Sequence, residues 1–182
     1  MQMIRTLLVG ILFSWTLALC GQAPVSVCDL VAHRAELNNK IVTVRGIVEA
    51  GGHGTFLSAA PSCTYTLMTR GVLWPNIIAL SYPNNSSLVP TDHAKFRIDW
   101  RSIRVAEDAA LRAGYDPHVD REVATFVGLF VTYGDLENRV SPGLNGAPRL
   151  GFGPDSLGAP AQLLVKSVKD LVVIKAGCCN QR

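Results

Sequence analysis

The sequence predicts a mainly β domain with two helices, its strands rolled into one small five-stranded barrel. Three observations lead there. Val42-Thr43-Val44-Arg45-Gly46-Ile47-Val48 and Ala124-Thr125-Phe126-Val127-Gly128-Leu129-Phe130 are β-rich runs with a single Gly at the centre of each. A Gly inside a strand marks a bulge, a bend or a close backbone approach, so two long strands carrying one suit a strongly coiled barrel better than a flat sheet. Strand patterns occur five times, with one helical pattern between the third and the fourth. Once a leader is set aside, about 160 residues remain, enough for one core and too few for two.

Residues 1–20 have the pattern of a targeting segment. Arg5 supplies the positive end, and Leu7 to Leu19 are apolar except for Gly10, Ser14 and Thr16. Ala18-Leu19-Cys20 then gives the small-x-small pattern of a cleavage site. The apolar run falls short of the ~20 residues of a comfortable span. Leu17-Ala18-Leu19-Cys20 also resembles a bacterial lipobox, with Leu19 where that pattern has Gly, Ala or Ser. Cleavage, lipidation of Cys20 and a retained anchor all imply export, to a periplasmic or secreted location or to a membrane-anchored lipoprotein.

Residues 21–25 are expected to be a linker, 26–176 the single domain and 177–182 a tail. Ser26-Val27-Cys28-Asp29 has the spacing of a helix start, with Ser26 as N-cap and Asp29 near the positive end of the dipole. Leu30, Val31, Arg34 and Leu37 continue at helical spacing, and Asn38-Asn39 is a stop because Asn tolerates the left-handed conformation. Ile41 to Glu49 alternates, with Val42, Val44, Gly46 and Val48 on one face. Gly51-Gly52-His53-Gly54 is a tight turn, Thr55 to Ala59 the second strand, and Pro61-Ser62-Cys63 its close.

Ile77 to Ser81 is the third strand, and residues 83–87 are loop with two Asn-x-Ser sequons. Ala94 to Ala113 is the expected helix, with Trp100, Ile103, Ala106, Ala110 and Ala113 near one face and Gly114 as the stop. Its opening, Phe96 to Trp100, alternates and so is also compatible with extended chain. Arg121 to Tyr133 is the fourth strand. Residues 134–161 form a Gly- and Pro-rich connection, of a length that is often functional. Leu163 to Ile174 is the fifth strand, with a bulge or break at Val168 to Asp170.

Five strands with a helix between the third and fourth follow the order of an OB-fold barrel. Cys28-Asp29-Leu30 and Leu37-Asn38-Asn39-Lys40-Ile41-Val42-Thr43-Val44-Arg45-Gly46 resemble uncharacterised exported bacterial proteins with OB-like domains. Their phrasing is a Cys, a short helix, Tyr-x-Gly-Lys, Val-x-Val-x-Gly and a second Cys after the next strand. Leu37 and Asn39 stand where that phrasing has Tyr and Gly. The resemblance implies a fold and an exported location; it carries no activity onto these residues.

Without Arg5 the 17 Lys and Arg become 16 against 14 Asp and Glu, a net charge of +2. Such a balance makes no strong field, which disfavours nucleic acid as a partner and leaves membrane contact to the N-terminus alone. Four cysteines remain, Cys28, Cys63, Cys178 and Cys179. In an oxidising compartment the expected bridge is Cys28–Cys63, tying the first helix to the segment after the second strand and stabilising by about 3–4 kcal/mol. Cys178-Cys179 suits a vicinal disulfide, an intermolecular pair or a tail; the Cys-x-x-Cys of a redox site is absent.

Ligand-binding OB-folds use the face of strands two and three and the loops joining strands one to two and four to five. Here those loops are 51–54 and 134–161. His53 is a candidate contact, against the plainer reading of a solvated turn residue. Phe56, Tyr65 and Trp74 offer either a stacking platform or core packing. Arg149 precedes the Gly-rich Leu150-Gly151-Phe152-Gly153-Pro154, although the Gly-Lys-Ser/Thr chemistry of a phosphate loop is missing. Arg45, a cation in mid-strand, needs either solvent or a carboxylate partner, the latter expected from another strand because Glu49 is too far along its own. Lys166-Ser167 and His33, His93 and His118 compose no catalytic or metal-binding spacing. The expectation is a non-enzymatic binding domain without cofactor or metal, recognising a small ligand, glycan or protein. The alternative is a structural or stress-protective envelope protein acting through protein contacts.

Overall fold

The computed structural model describes residues 23–51, 54–82, 96–116, 118–137, 151–152 and 158–176. In chain order the elements are β1 (Val25–Ser26), α1 (Val27–Ala32), α2 (Arg34–Leu37), β2 (Lys40–Gly51), β3 (Gly54–Ser58), β4 (Leu67–Thr69), β5 (Val72–Trp74), β6 (Ile77–Ser81), α3 (Trp100–Arg112), β7 (Arg121–Thr132) and β8 (Ala161–Ile174). Strands β2, β3, β6, β8 and β7 follow one another around a sheet, and β7 pairs back onto β2 to close a five-stranded barrel. Only β6–β8 is parallel among these pairings. The described residues are mainly β, with three helices among them.

The two Gly-centred strands are β2 and β7, and they pair with each other, Val42 opposite Gly128 and Gly46 opposite Ala124. Both glycines answer to close approach. A β-carbon at Gly46 would lie 2.7 Å from Leu57 Cγ and Val27 Cγ2, and one at Gly128 would run into the Leu164 carbonyl oxygen. Next to Gly128 the register slips, Val127 facing Ser167 while Gly128 faces Val165, so Lys166 is extra on β8. A second slip sets Val123 opposite Val172 but Thr125 opposite Lys169, with Asp170 at φ 49. The break expected at Val168–Asp170 is this bulge, and bulges strengthen the local twist a small barrel needs. Arg45 finds its partners there: Nη1 donates to Thr125 Oγ1 at 2.9 Å and to the Asp170 carbonyl at 3.2 Å.

The core fills from the face of β2 that carries Val42, Val44 and Gly46. Val42, Val44, Leu57, Phe130 and Leu163 are buried inside the barrel, and Val27, Leu30 and Val31 of α1 join them. Ser26 caps α1, its hydroxyl accepting from Asp29 N at 3.1 Å. The expected single N-terminal helix is two. His33 leaves helical geometry (φ −101, ψ 24) and its carbonyl accepts the first bonds of α2. α1 buries three side chains and α2 none, so the break lets the chain leave the core and reach β2. Asn39, at φ 61, makes the final turn. Val25, placed in a linker by sequence, instead pairs with Val44 as part of β1.

Cys28 on α1 and Cys63 after β3 form the expected disulfide, with a Cα–Cα distance of 5.7 Å. The hairpin β4–β5 lies in a stretch without a strand pattern in sequence. Thr69 pairs with Val72 around the two-residue loop Arg70-Gly71, whose φ values are 48 and 77. Such a loop ordinarily announces itself with Asn or Asp at its first position, and Arg70 hides it. Helix α3 starts at Trp100 after the Asp99 side chain caps Ser102 N at 3.1 Å. Residues 96–99 are therefore outside the helix, and Gly114 ends it at φ 61.

Candidate functional site

β7 runs antiparallel to β2, so its last residues lie beside the start of β2, Phe130 opposite Lys40, away from the Gly51–Gly54 pair that ends β2. His53, Arg149, Cys20, Cys178, Cys179 and the sequons of residues 83–87 lie outside the described residues.

Two of the expected contacts, Trp74 and Phe56, are buried. Trp74 is 1% exposed in the main core, and its Nε1 donates to Thr69 Oγ1 at 3.0 Å. Phe56 is 5% exposed and clusters with Ala79, Ala159, Ile77 and Phe152. Phe152 and Ala159 exchange backbone hydrogen bonds of 2.8 and 2.9 Å, and the Phe152 ring stacks on Tyr133 with centroids 4.2 Å apart. The chain between β7 and β8 thus covers Phe56 on β3 and Ala79 on β6, the two strands expected to offer a ligand face. Neither aromatic is a free platform. Tyr65 is half-buried and its hydroxyl accepts from Arg34 at 3.5 Å.

Two concavities lie where β2 ends, both touching Val48 and Ala50. One, of about 170 Å³, sits under α3, with Ile103, Phe126 and Leu171 as apolar wall and Tyr82, Glu107 and Glu122 as polar groups. Burial, then the charges of Glu107 and Glu122, push the Tyr82 phenol up to about 12. Burial also raises Glu122. Tyr82 is therefore a neutral hydroxyl throughout the physiological range.

The other is an open groove of about 310 Å³ beside Ile47 to Ala50, running between Ala59 and Pro61 on one side and Tyr115, Asp120 and Arg121 on the other. One carboxylate fixes its far wall. Asp120 accepts Lys175 Nζ at 2.8 Å, Asp116 N at 2.9 Å and Ala176 N at 3.1 Å. Lys175 also donates to the Gly114 carbonyl. The turn after α3, the start of β7 and the end of β8 are thereby joined, with Tyr115 and Arg121 on either side of the joint. The hydrogen bond from Lys175, with those from the backbone, holds Asp120 below the usual carboxylate range. Burial, then the Glu122, Asp120 and Asp116 charges, raise Tyr115.

These residues belong to no sequence motif. The one signal was Gly114-Tyr115-Asp116-Pro117, a turn string between a helix and a strand. Among the described residues no group of three or more His, Cys, Asp or Glu could hold a metal ion, and no helix is long and apolar enough to cross a membrane. Lys166 and Ser167 are backbone partners of Asp99 and Val127. A scan against protein-family models, a search of curated proteins and a search of solved structures each found no match.

Proposed function

We propose that the chain is an exported, non-enzymatic binding domain of OB-fold type whose recognition surface is the groove beside the 51–54 hairpin. The barrel strands β2, β3, β6, β7 and β8, taken in sequence, run 1-2-3-5-4-1 around the closed sheet, with α3 between the third and fourth, which is the order that supports the OB assignment. The disulfide suits an oxidising compartment. The groove carries the reading: it is concave, combines apolar and polar lining, and has one wall fixed in advance by the Asp120 joint. A fixed wall lowers the entropy lost on binding. The face over Phe56 is less suited, because residues 152 and 159 already lie on it.

Crosslinking pull-down from the native envelope with the chain lacking residues 1–20 tests this. A captured component should be lost in Tyr115→Ala and Arg121→Ala while their melting temperatures stay close to wild type. Capture that survives both substitutions would move the site elsewhere.

A structural role through protein contacts has one observation of its own. Met68 and Leu73 are cross-strand partners on β4–β5, exposed by 64% and 57%. Capture abolished by Met68→Ser with Leu73→Ser, and untouched by the groove variants, would favour that role.

A further inference from the structure

We infer that the groove beside β2 takes an uncharged saccharide of one or two rings, an inference that rests on the groove being the binding surface. Its charges decide against small molecules that carry a single kind of charge or none of the polarity to meet them. Glu49 and Arg121 bring opposite signs to it, and the register that sets Val48 opposite Glu122 makes them neighbours on β2 and β7. The remaining charge, Asp120, is already matched by Lys175 at 2.8 Å. An anion would meet Glu49 and a cation would meet Arg121, so neither gains without an opposing cost. A purely apolar ligand would strip water from both charges and from the Tyr115 hydroxyl without replacing those hydrogen bonds.

What fits is a neutral molecule with an apolar face and many hydroxyls. Ile47, Ala59 and Pro61 supply an apolar strip for the C–H face of a pyranose. The Tyr115 ring offers an amphipathic surface that suits the same kind of ring. Carboxylate and guanidinium are planar groups that can each take two hydrogen bonds, Glu49 accepting from vicinal hydroxyls and Arg121 donating to them. The volume of about 310 Å³ lies at the small end of ligand pockets, which excludes a long chain buried along its whole length.

The test is a two-dimensional amide NMR titration of the chain lacking residues 1–20 with cellobiose, N,N′-diacetylchitobiose, glucuronic acid and trialanine. Saturable shifts at Glu49, Tyr115 and Arg121 are expected with at least one of the neutral disaccharides and not with glucuronic acid. Affinity should fall by about tenfold or more in Tyr115→Ala and in Arg121→Gln, a loss of at least ~1.4 kcal/mol, and by less in Tyr115→Phe. Native-like amide spectra of the variants separate lost binding from lost folding. Trialanine shifting those amides while both disaccharides leave them unmoved would overturn the saccharide and keep the groove. Disaccharide shifts located away from the groove, or equal shifts with glucuronic acid, would also overturn it. Silence from all four probes together with pull-down capture unaffected by the groove variants would remove the binding surface itself.

Discussion

A β-carbon at Gly128 would drive into the Leu164 carbonyl oxygen and the Leu163 side chain, both on the paired strand β8. Backbone cannot rotate away as a side chain can. Gly128→Ala is therefore expected to destabilise the fold by roughly 1–3 kcal/mol, the usual cost of overpacking, with a matching fall in urea midpoint. Gly134→Ala is the control, since nothing lies within 4 Å of the position a β-carbon would take. A second residue-scale prediction concerns Trp74. Its indole N–H is buried and donates to Thr69 Oγ1. Thr69→Val keeps the shape but leaves that donor without its partner, at an expected cost of about 1–3 kcal/mol; Thr69→Ser should recover most of it. Thermal unfolding of the three proteins side by side checks the order.

Among elements, α1 depends most on a covalent tie. It is six residues long, too short to be stable alone, and it holds Val27, Leu30 and Val31 in the core. The Cys28–Cys63 bond anchors it across a sequence separation of 35 residues. Cys28→Ser with Cys63→Ser should lower stability by about 2–5 kcal/mol, and hydrogen exchange should show protection lost first at α1 and at residues 59–66. Uniform loss across the barrel would contradict the local role given to the bond. The β4–β5 hairpin illustrates how an element escapes notice in sequence. Its strands have three residues each, and its turn uses Arg70, so neither length nor turn chemistry distinguishes it from loop.

At the scale of the whole molecule four described groups are shifted, Tyr115 upward with the same sign as Tyr82, and Asp120, Glu122 and Tyr82 set the pattern with pH. Asp120 is held below its ordinary value of 3.8, so its stabilisation is complete above that value and disappears as pH falls through the depressed one. Glu122 is raised above 4.5 by burial, so the folded state holds its proton more tightly, and stability declines as pH rises from 4.5 through the raised value. Tyr82 is raised from 10.0 to about 12, so stability should fall as pH rises through that interval. Thermal unfolding across pH should show an alkaline decline above pH 10 that Tyr82→Phe reduces, and an acid decline that Asp120→Asn reduces. An alkaline limb unchanged in Tyr82→Phe would argue that the phenol is not enclosed under α3.

Local chemistry was enough to read the elements whose signals are local. The alternation of Val42, Val44 and Gly46, the Ser26 cap and the Gly114 stop each act within a few residues, and β2, the start of α1 and the end of α3 stand at those signals, whereas the first helix is broken at His33 and α3 starts at Trp100, not Ala94. The two Gly-centred strands were likewise legible as bent. That they pair with each other, and that each glycine makes room for a neighbour, depends on contacts between distant parts of the chain. The candidate site belongs wholly to that second kind. Phe56 and Trp74 have the composition of a binding platform, but closure of the barrel and the return of residues 152 and 159 bury them. Glu49, Tyr115 and Arg121 carry no motif, yet pairing of β2 with β7 and the Asp120 joint bring them around one groove. Sequence determined which segments could be strand, helix or turn, because hydrogen-bonding and steric preferences are local. Tertiary structure alone decided which side chains are hidden and which face an opening, because burial is a property of the closed barrel.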